Sequence, residues 1–454
     1  MDDLNRVREH IQANATRYLE SLKQACAIPS VSTEGRGFDD MTAWLEARLK
    51  GLGAEVSRLS VPGSPEALLG EMKCGGHRTL MIYDHYDVQP VDPLNLWHSP
   101  PFEPTEREGK LFARGAADNK GDLVARLCAL EVHQEIYGDL PFNIKFFIEG
   151  EEESGSHYFG QICQSFADRL ESDDCVWEGG WFDTEGRPEM YYGCKGLLYV
   201  ELRSKKLSGD QHSSVAVYAP SAAWELLKAV ASIKDEDGRI SIAGFYDDIA
   251  EPTELEEQLI EALPFNEKSR MEAVGITSFL GGLTGSELKR ELLYGPTANI
   301  AGFQTGYGVP GGQKTVLPAE ALAKLDFRLA PDQDPVDITE KLQRHLKDRG
   351  FDEIEMQVLS SQSPARSPLD SALGQAAQNA AKQWFPLPVT VYPFMLATGP
   401  MYSITKELGI PVCSPPGVGR PDSNLHAPNE WCGIEDFLEI IGYTVAYLRE
   451  YGRL

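Results

Sequence analysis

The chain has 454 residues, 42% of them hydrophobic, and its 69 acidic and 42 basic side chains leave a formal charge of −27. That length is too great for one ordinary core, so two domains are expected, and the apolar content excludes a disordered chain. The acidic balance excludes the basic footprint a nucleic-acid partner needs; it suits plain solubility, or a field that draws cations.

Helical spacing runs through residues 4–23 and stops before Pro29. Met41, Trp44, Leu45 and Leu49 repeat at helical intervals, and Gly51 and Gly53 close that helix. Strands are predicted at 54–59 and 68–72. The run Thr79-Leu80-Met81-Ile82-Tyr83 reads as a buried strand that ends by delivering His85 and Asp87. These two are two residues apart, so on an extended strand they point the same way, as a metal-bound imidazole and its orienting carboxylate would. Asp118 follows in a glycine-bearing loop before a helix at 121–137, where it is either a metal ligand or a helix N-cap. A strand at 143–148 ends at Glu151-Glu152-Glu153. Taken alone, that cluster reads first as a solvated acidic loop.

The texture changes after Gly196. A strand at 198–202, a helix at 221–233 and a strand at 321–329 lie among charged stretches, and α/β texture resumes beyond about 364, where His426 lies. A domain inserted into another explains the order. Residues 1–196 and 364–454 are expected to form a catalytic three-layer α/β/α domain with a mostly parallel sheet. Residues 197–363 are expected to form an inserted α+β domain. The candidate groups follow strands, where open α/β sheets bind ligands.

Eight scattered cysteines without a Cys-x-x-Cys pair support neither a zinc ribbon nor a thioredoxin-like motif. The N-terminus lacks a signal-peptide pattern and no apolar run reaches membrane-spanning length. A cytoplasmic chain with reduced cysteines and no membrane partner is the expectation.

Several carboxylates meeting in one cleft repel by up to roughly 4 kcal/mol per pair at about 4 Å and an effective dielectric near 20. They need protons or cations, and histidine with carboxylate is a zinc-type ligand set that also accepts cobalt or manganese. At this point the chain resembles the dinuclear zinc hydrolases that include carnosine dipeptidase, carboxypeptidase G, aminoacylase, acetylornithine deacetylase and succinyl-diaminopimelate desuccinylase. The motifs that carry the resemblance are His85-Tyr86-Asp87-Val88-Gln89-Pro90, Arg114-Gly115-Ala116-Ala117-Asp118-Asn119-Lys120-Gly121 and Glu149-Gly150-Glu151-Glu152-Glu153-Ser154-Gly155-Ser156. Length favours the dipeptidase branch.

The resemblance implies two divalent metal ions, zinc first, and hydrolysis of an amide in a small peptide by a water bridging them. It makes His85 a ligand of one ion and His426 of the other. Asp118 would bridge them, joined to Asn119 by a cis peptide. Glu152 would be the general base, Glu153 a ligand, and Asp87 the group that orients His85. The fifth ligand would be Glu178, directly after a strand at 175–177, with Asp183 as competitor. Glutamate there looks more like the deacylase branch, so N-acyl amino acids are the alternative substrates. An inactive binding protein of the same fold is a third reading. The inserted domain would be a lid that also forms a homodimer. Its His212 would polarise the substrate carbonyl in the partner subunit's site. Arg328 would hold a substrate carboxylate, and Asn299, Thr315, Thr398 and Gly399 would line the pocket.

Overall fold

The computed structural model describes residues 2–454, and its main strands are, in chain order, β1 (Glu55–Leu59), β2 (Ala67–Met72), β3 (Thr79–His85), β4 (Asn143–Glu149), β5 (Asp174–Val176), β6 (Gly196–Lys205), β7 (Thr297–Thr305), β8 (Glu320–Leu329), β9 (Glu355–Gln362) and β10 (Val412–Cys413). The helices packed on them are α1 (Asp2–Ala13), α2 (Ala15–Cys26), α3 (Phe38–Gly51), α4 (Lys120–Tyr137), α5 (Phe159–Ser165), α6 (Ala222–Ala231), α7 (Pro335–Asp348), α8 (Ala372–Trp384) and α9 (Ile434–Tyr451).

By its contacts the chain divides into two compact units. The first comprises Met1–Gly193, Arg366–Phe394 and Gly399–Leu454; the second comprises Cys194–Ala365 and Met395–Thr398.

In the first unit the strand order is β1-β2-β4-β3-β5-β10. The pairs β3–β4, β3–β5 and β5–β10 are parallel, whereas β1–β2 and β2–β4 are antiparallel, so the sheet is mostly parallel. Both faces are covered, as a parallel sheet requires. Leu80 and Ile82 join the large core with Leu45 of α3, Leu127 of α4, Ala377 of α8 and Ile441 of α9. Tyr83 and Phe147 turn the other way onto Phe159 of α5, with ring centroids 5.4 and 5.2 Å away. An uninterrupted apolar run is what a strand buried on both faces needs, and β3 is buried from Leu80 to its end. The predicted 4–23 helix is two helices. The chain breaks at Asn14 (φ −114°, ψ 11°), whose side chain returns to the carbonyl of His10 at 2.9 Å.

The second unit carries an antiparallel sheet in the order β7-β8-β6-β9. The strands β6 and β8 alternate strictly between buried and half-buried or exposed positions, and their inner residues pack on Leu226 of α6 and Leu342 of α7. One covered face explains why these strands read as alternating, not continuous, in the sequence. No helix among the described residues is long and apolar enough to cross a membrane.

Candidate metal centre

β3 and β4 run parallel with His85 opposite Glu149, so both strands end at the same level. The chain leaves β3 into Asp87 and leaves β4 into the short 3-10 turn Glu152–Ser154. Asp87 joins these two exits. Its Oδ1 lies 3.3 Å from His85 Nδ1. Its two carboxylate oxygens also accept the backbone N–H groups of Glu152 and Glu153, at 3.2 and 3.0 Å. Asp87 and His85 are fully buried.

Asp118 lies between two histidines. His85 Nε2 is 3.3 Å from its Oδ1, and His426 Nε2 is 3.0 Å from its Oδ2. Each histidine also meets one further carboxylate. Glu178 Oε2 is 3.2 Å from His85 Nε2, and Glu153 Oε2 is 3.1 Å from His426 Nε2. Two triads therefore share one carboxylate, each through a different oxygen: His85, Asp118 and Glu178, then Asp118, Glu153 and His426. The Asp118–Asn119 peptide is cis. Gly115, in the loop that carries Asp118, sits at φ +84°, and a Cβ there would lie 2.8 Å from Val88 Cγ1, so this turn needs glycine.

The spacing fits divalent ions. Two ligand atoms about 2.0–2.1 Å from a tetrahedral zinc lie about 3.3–3.4 Å apart, close to the histidine-to-carboxylate separations here, and Asp118, Glu153 and His426 each offer a ligand atom within 4.8 Å of the other two. His85 Nε2 is buried with no aligned hydrogen-bond partner despite the nearby oxygens, and Glu153 Oε1 is likewise orphaned. A buried polar atom without a partner is costly, and a cation would satisfy both. Neighbouring groups hold the remaining oxygens in place. Gln89 Nε2 donates to Glu153 Oε2 at 2.8 Å. Trp177 Nε1 and Asn119 Nδ2 donate to the two oxygens of Glu178 at 2.9 and 3.1 Å. Such outer contacts orient ligands.

The protonation pattern shows the same pressure. Burial, then the charge of Asp118, pushes Glu153 up to about 7. Burial, then the charge of Glu178, lifts Glu152 well above the carboxylate range. Hydrogen bonds to Asp118 and Glu153 push His426 up to about 10. Burial pulls His85 down, but the carboxylates of Asp118, Asp87 and Glu178 beside its ring outweigh it and leave its pKa well raised. Without cations, protons collect on this cluster.

The competitor Asp183 is committed to a turn. Its Oδ1 accepts the N–H groups of Glu185 and Arg187, both at 2.8 Å. Gly399 lies beside Trp177 and Glu178, where a Cβ on it would be 3.6 Å from Trp177 Cζ2 and 4.0 Å from Glu178 Oε1. In the second unit, His212 is exposed on a short strand paired with Val316–Leu317. The backbone N–H of Ser214 donates to its Nδ1 at 3.2 Å, which places the proton of the neutral ring on the outer Nε2. Ser213 N donates to the carbonyl of Thr315 at 3.2 Å. Arg328 Nη1 donates to Thr398 Oγ1 at 2.7 Å. Asn299 Nδ2 donates across the sheet to Asp326 Oδ1 at 2.8 Å.

Sequence reading assigned no role to Gln89, Asn119 or Trp177. Gln89 and Asn119 stand within the quoted motifs and Trp177 directly before Glu178, but the carboxylates Gln89 and Asn119 hold are 64 and 59 positions away.

Comparison with known proteins bears on this arrangement. The profile of "Peptidase family M20/M25/M40" matches residues 81–450. A Beta-Ala-His dipeptidase of Homo sapiens is 29% identical over 366 residues, covering 76% of this chain and 71% of its own. A Cys-Gly metallodipeptidase of Candida albicans is 27% identical over 96% of this chain and 95% of its own. Among solved structures, an M20 family metallo-carboxypeptidase from Sulfolobus solfataricus superposes with a TM-score of 0.91 at 36% identity, covering 96% of this chain and 99% of that one. Human carnosine dipeptidase 1 gives 0.79 at 27% identity, covering 99% and 100%.

Proposed function

The chain belongs to peptidase family M20/M25/M40, and from that premise we propose that it hydrolyses the amide bond of dipeptides and other short peptides, using two divalent metal ions. The observation that carries this reading is the single carboxylate of Asp118 set between two histidine-carboxylate groups, one oxygen to each. His85, Asp118 and Glu178 would hold one ion; Asp118, Glu153 and His426 would hold the other. Bound there, the ions would acidify a water and polarise the scissile carbonyl.

The residues of the chain do the rest. Glu152 accepts the proton of the attacking water and returns one to the leaving amine. Asp87 keeps His85 and the Glu152–Glu153 turn in register, because it holds all three. His212 Nε2–H donates to the developing oxyanion. Arg328, held by Thr398, takes a substrate carboxylate through its planar fork. Asn299, Thr315 and Gly399 are the further groups assigned to the pocket. The second unit acts as a lid that shuts water out and forms a homodimer, so that His212 serves the partner's site. Zinc is the proposed metal, and the cytoplasm the proposed compartment.

Zinc-loaded enzyme is expected to turn over a dipeptide panel, and to lose at least tenfold in kcat/KM on the same dipeptides amidated at the C-terminus. N-acetyl and N-succinyl amino acids form the other arm of the assay. Glu178, where a dipeptidase would usually carry aspartate, favours them as the second reading. Faster turnover of that arm would make the chain a deacylase. Activity on neither arm, with both ions bound, would remove the proposal.

His212→Ala is expected to cut turnover with metal content unchanged. Mixing it in equal amounts with Glu152→Gln subunits should restore up to about a quarter of wild-type activity, because half of the dimers are then mixed and each mixed dimer has one complete site of two. Equal activity of mixed and unmixed samples would confine His212 to its own subunit.

A further inference from the structure

We infer that Glu430 is a positioning residue that locks the Asp118 loop to the His426 loop, and so sets the affinity of the ion those two residues share. The inference rests on the two-ion reading above. The short strands Lys110–Phe112 and Trp431–Gly433 pair antiparallel, with Trp431 opposite Phe112. One more backbone bond, Ala113 N to the Glu430 carbonyl at 3.1 Å, continues the ladder. Beyond it the two chains part. One becomes the loop to Asp118 and the other the loop back to His426. Both loops leave the same strand pair, and Glu430 sits at the fork.

Its side chain is fully buried and every acceptor position is used. Oε1 accepts the backbone N–H groups of Ala117 and Asp118, at 2.9 and 3.0 Å. Oε2 accepts the N–H of Gly115 at 3.0 Å and Arg114 Nη1 at 2.7 Å. Four donors from one five-residue loop therefore converge on one carboxylate, and two of them are the N–H groups of Asp118 itself and of the residue before it. The His426 side is tense by comparison. Asn424, His426 and Asn429 all hold positive φ, at 56°, 57° and 64°. That backbone costs energy in non-glycine residues and persists only where the surroundings enforce it. Closure of the loop by Trp431 N to Ser423 O at 3.1 Å, next to Glu430, supplies part of that enforcement. The other ion shares only Asp118 with this fork: His85 ends β3, Glu178 lies two residues past β5, and the groups that bond to the Glu430 carboxylate belong to the Asp118 loop.

A selective effect follows. Gln at 430 presents one oxygen and one NH2, so two of the four donors lose their acceptor. The ion between Asp118, Glu153 and His426 should weaken ten- to hundredfold, the range for loss of an orienting contact. The ion on His85 and Glu178 should change much less. The test titrates metal-stripped wild type and Glu430→Gln with Zn2+ against a chromophoric chelator and resolves the two affinities. Leu45→Ala, a core variant in the same unit away from these loops, controls for general destabilisation and should leave both affinities in place. If Glu430→Gln does not fold, Glu430→Asp keeps the charge on a shorter stem and should give the same split. Two wild-type affinities in the folded variant, or equal weakening of both ions, would overturn the inference. Wild type that binds no metal would instead overturn the two-ion reading beneath it.

Discussion

Replacing Glu152 with glutamine should leave both ions bound and lower turnover by about 10²- to 10⁴-fold, the usual contribution of a positioned general base. The amide matches the carboxylate in shape but cannot take a proton. The backbone supports this separation of roles. The Glu152 N–H is held by Asp87 whatever its side chain is, and neither histidine–carboxylate triad includes Glu152. Metal content and catalysis are thus expected to come apart at this one position. Glu153→Gln, one residue on, should differ, because Glu153 Oε2 lies 3.1 Å from His426 Nε2. There the loss of charge should cost metal first and turnover as a consequence. Metal analysis beside steady-state kinetics checks both variants. Near-native turnover in metal-replete Glu152→Gln would take that residue out of the proton path.

Asp118→Ala carries the second large effect. Both triads lose a ligand at once, so each retains one histidine and one carboxylate. Metal content should fall below one ion per chain and hydrolysis should become undetectable. Stability gives an independent readout. An ion that binds only the folded chain stabilises it by RT ln(1 + [L]/Kd), about 4 kcal/mol at a thousandfold excess over Kd. Zinc should therefore raise the melting temperature of wild type and leave that of Asp118→Ala nearly unmoved. The metal-free variant tests the electrostatics in the other direction. The charge of Asp118 is one of the causes that push Glu153 up to about 7, so removing it should let Glu153 ionise at lower pH. Equal zinc-induced shifts in both proteins would show that the ions sit elsewhere.

The sequence disclosed the parts of this centre that sit on regular structure. β3 and β4 are apolar runs buried to their ends, so they announced themselves, and His85 and the Glu152–Glu153 pair follow at once. Glu178 follows a short buried strand, but only the resemblance made it a ligand. His426 was a candidate by its chemistry alone: it lies at positive φ in a loop with no periodicity, so no regular element placed it. The break at Asn14 was hidden because apolar spacing continues through it while a single side chain cuts the helix. Glu430 was invisible for a different reason: its partners are 312 to 316 positions away, and nothing local marks a buried carboxylate as a clasp. In the inserted unit, alternation revealed β6 and β8, since one face of each is covered. The edge strand β7 is mostly exposed and left no such trace.

Anomalous diffraction from zinc-soaked crystals, recorded at the metal edge, would locate the ions themselves. Two peaks are predicted in each chain, about 3.5–4 Å apart, with one carboxylate oxygen of Asp118 toward each. A single peak in crystals of active enzyme, or two peaks that do not share Asp118, would contradict the account.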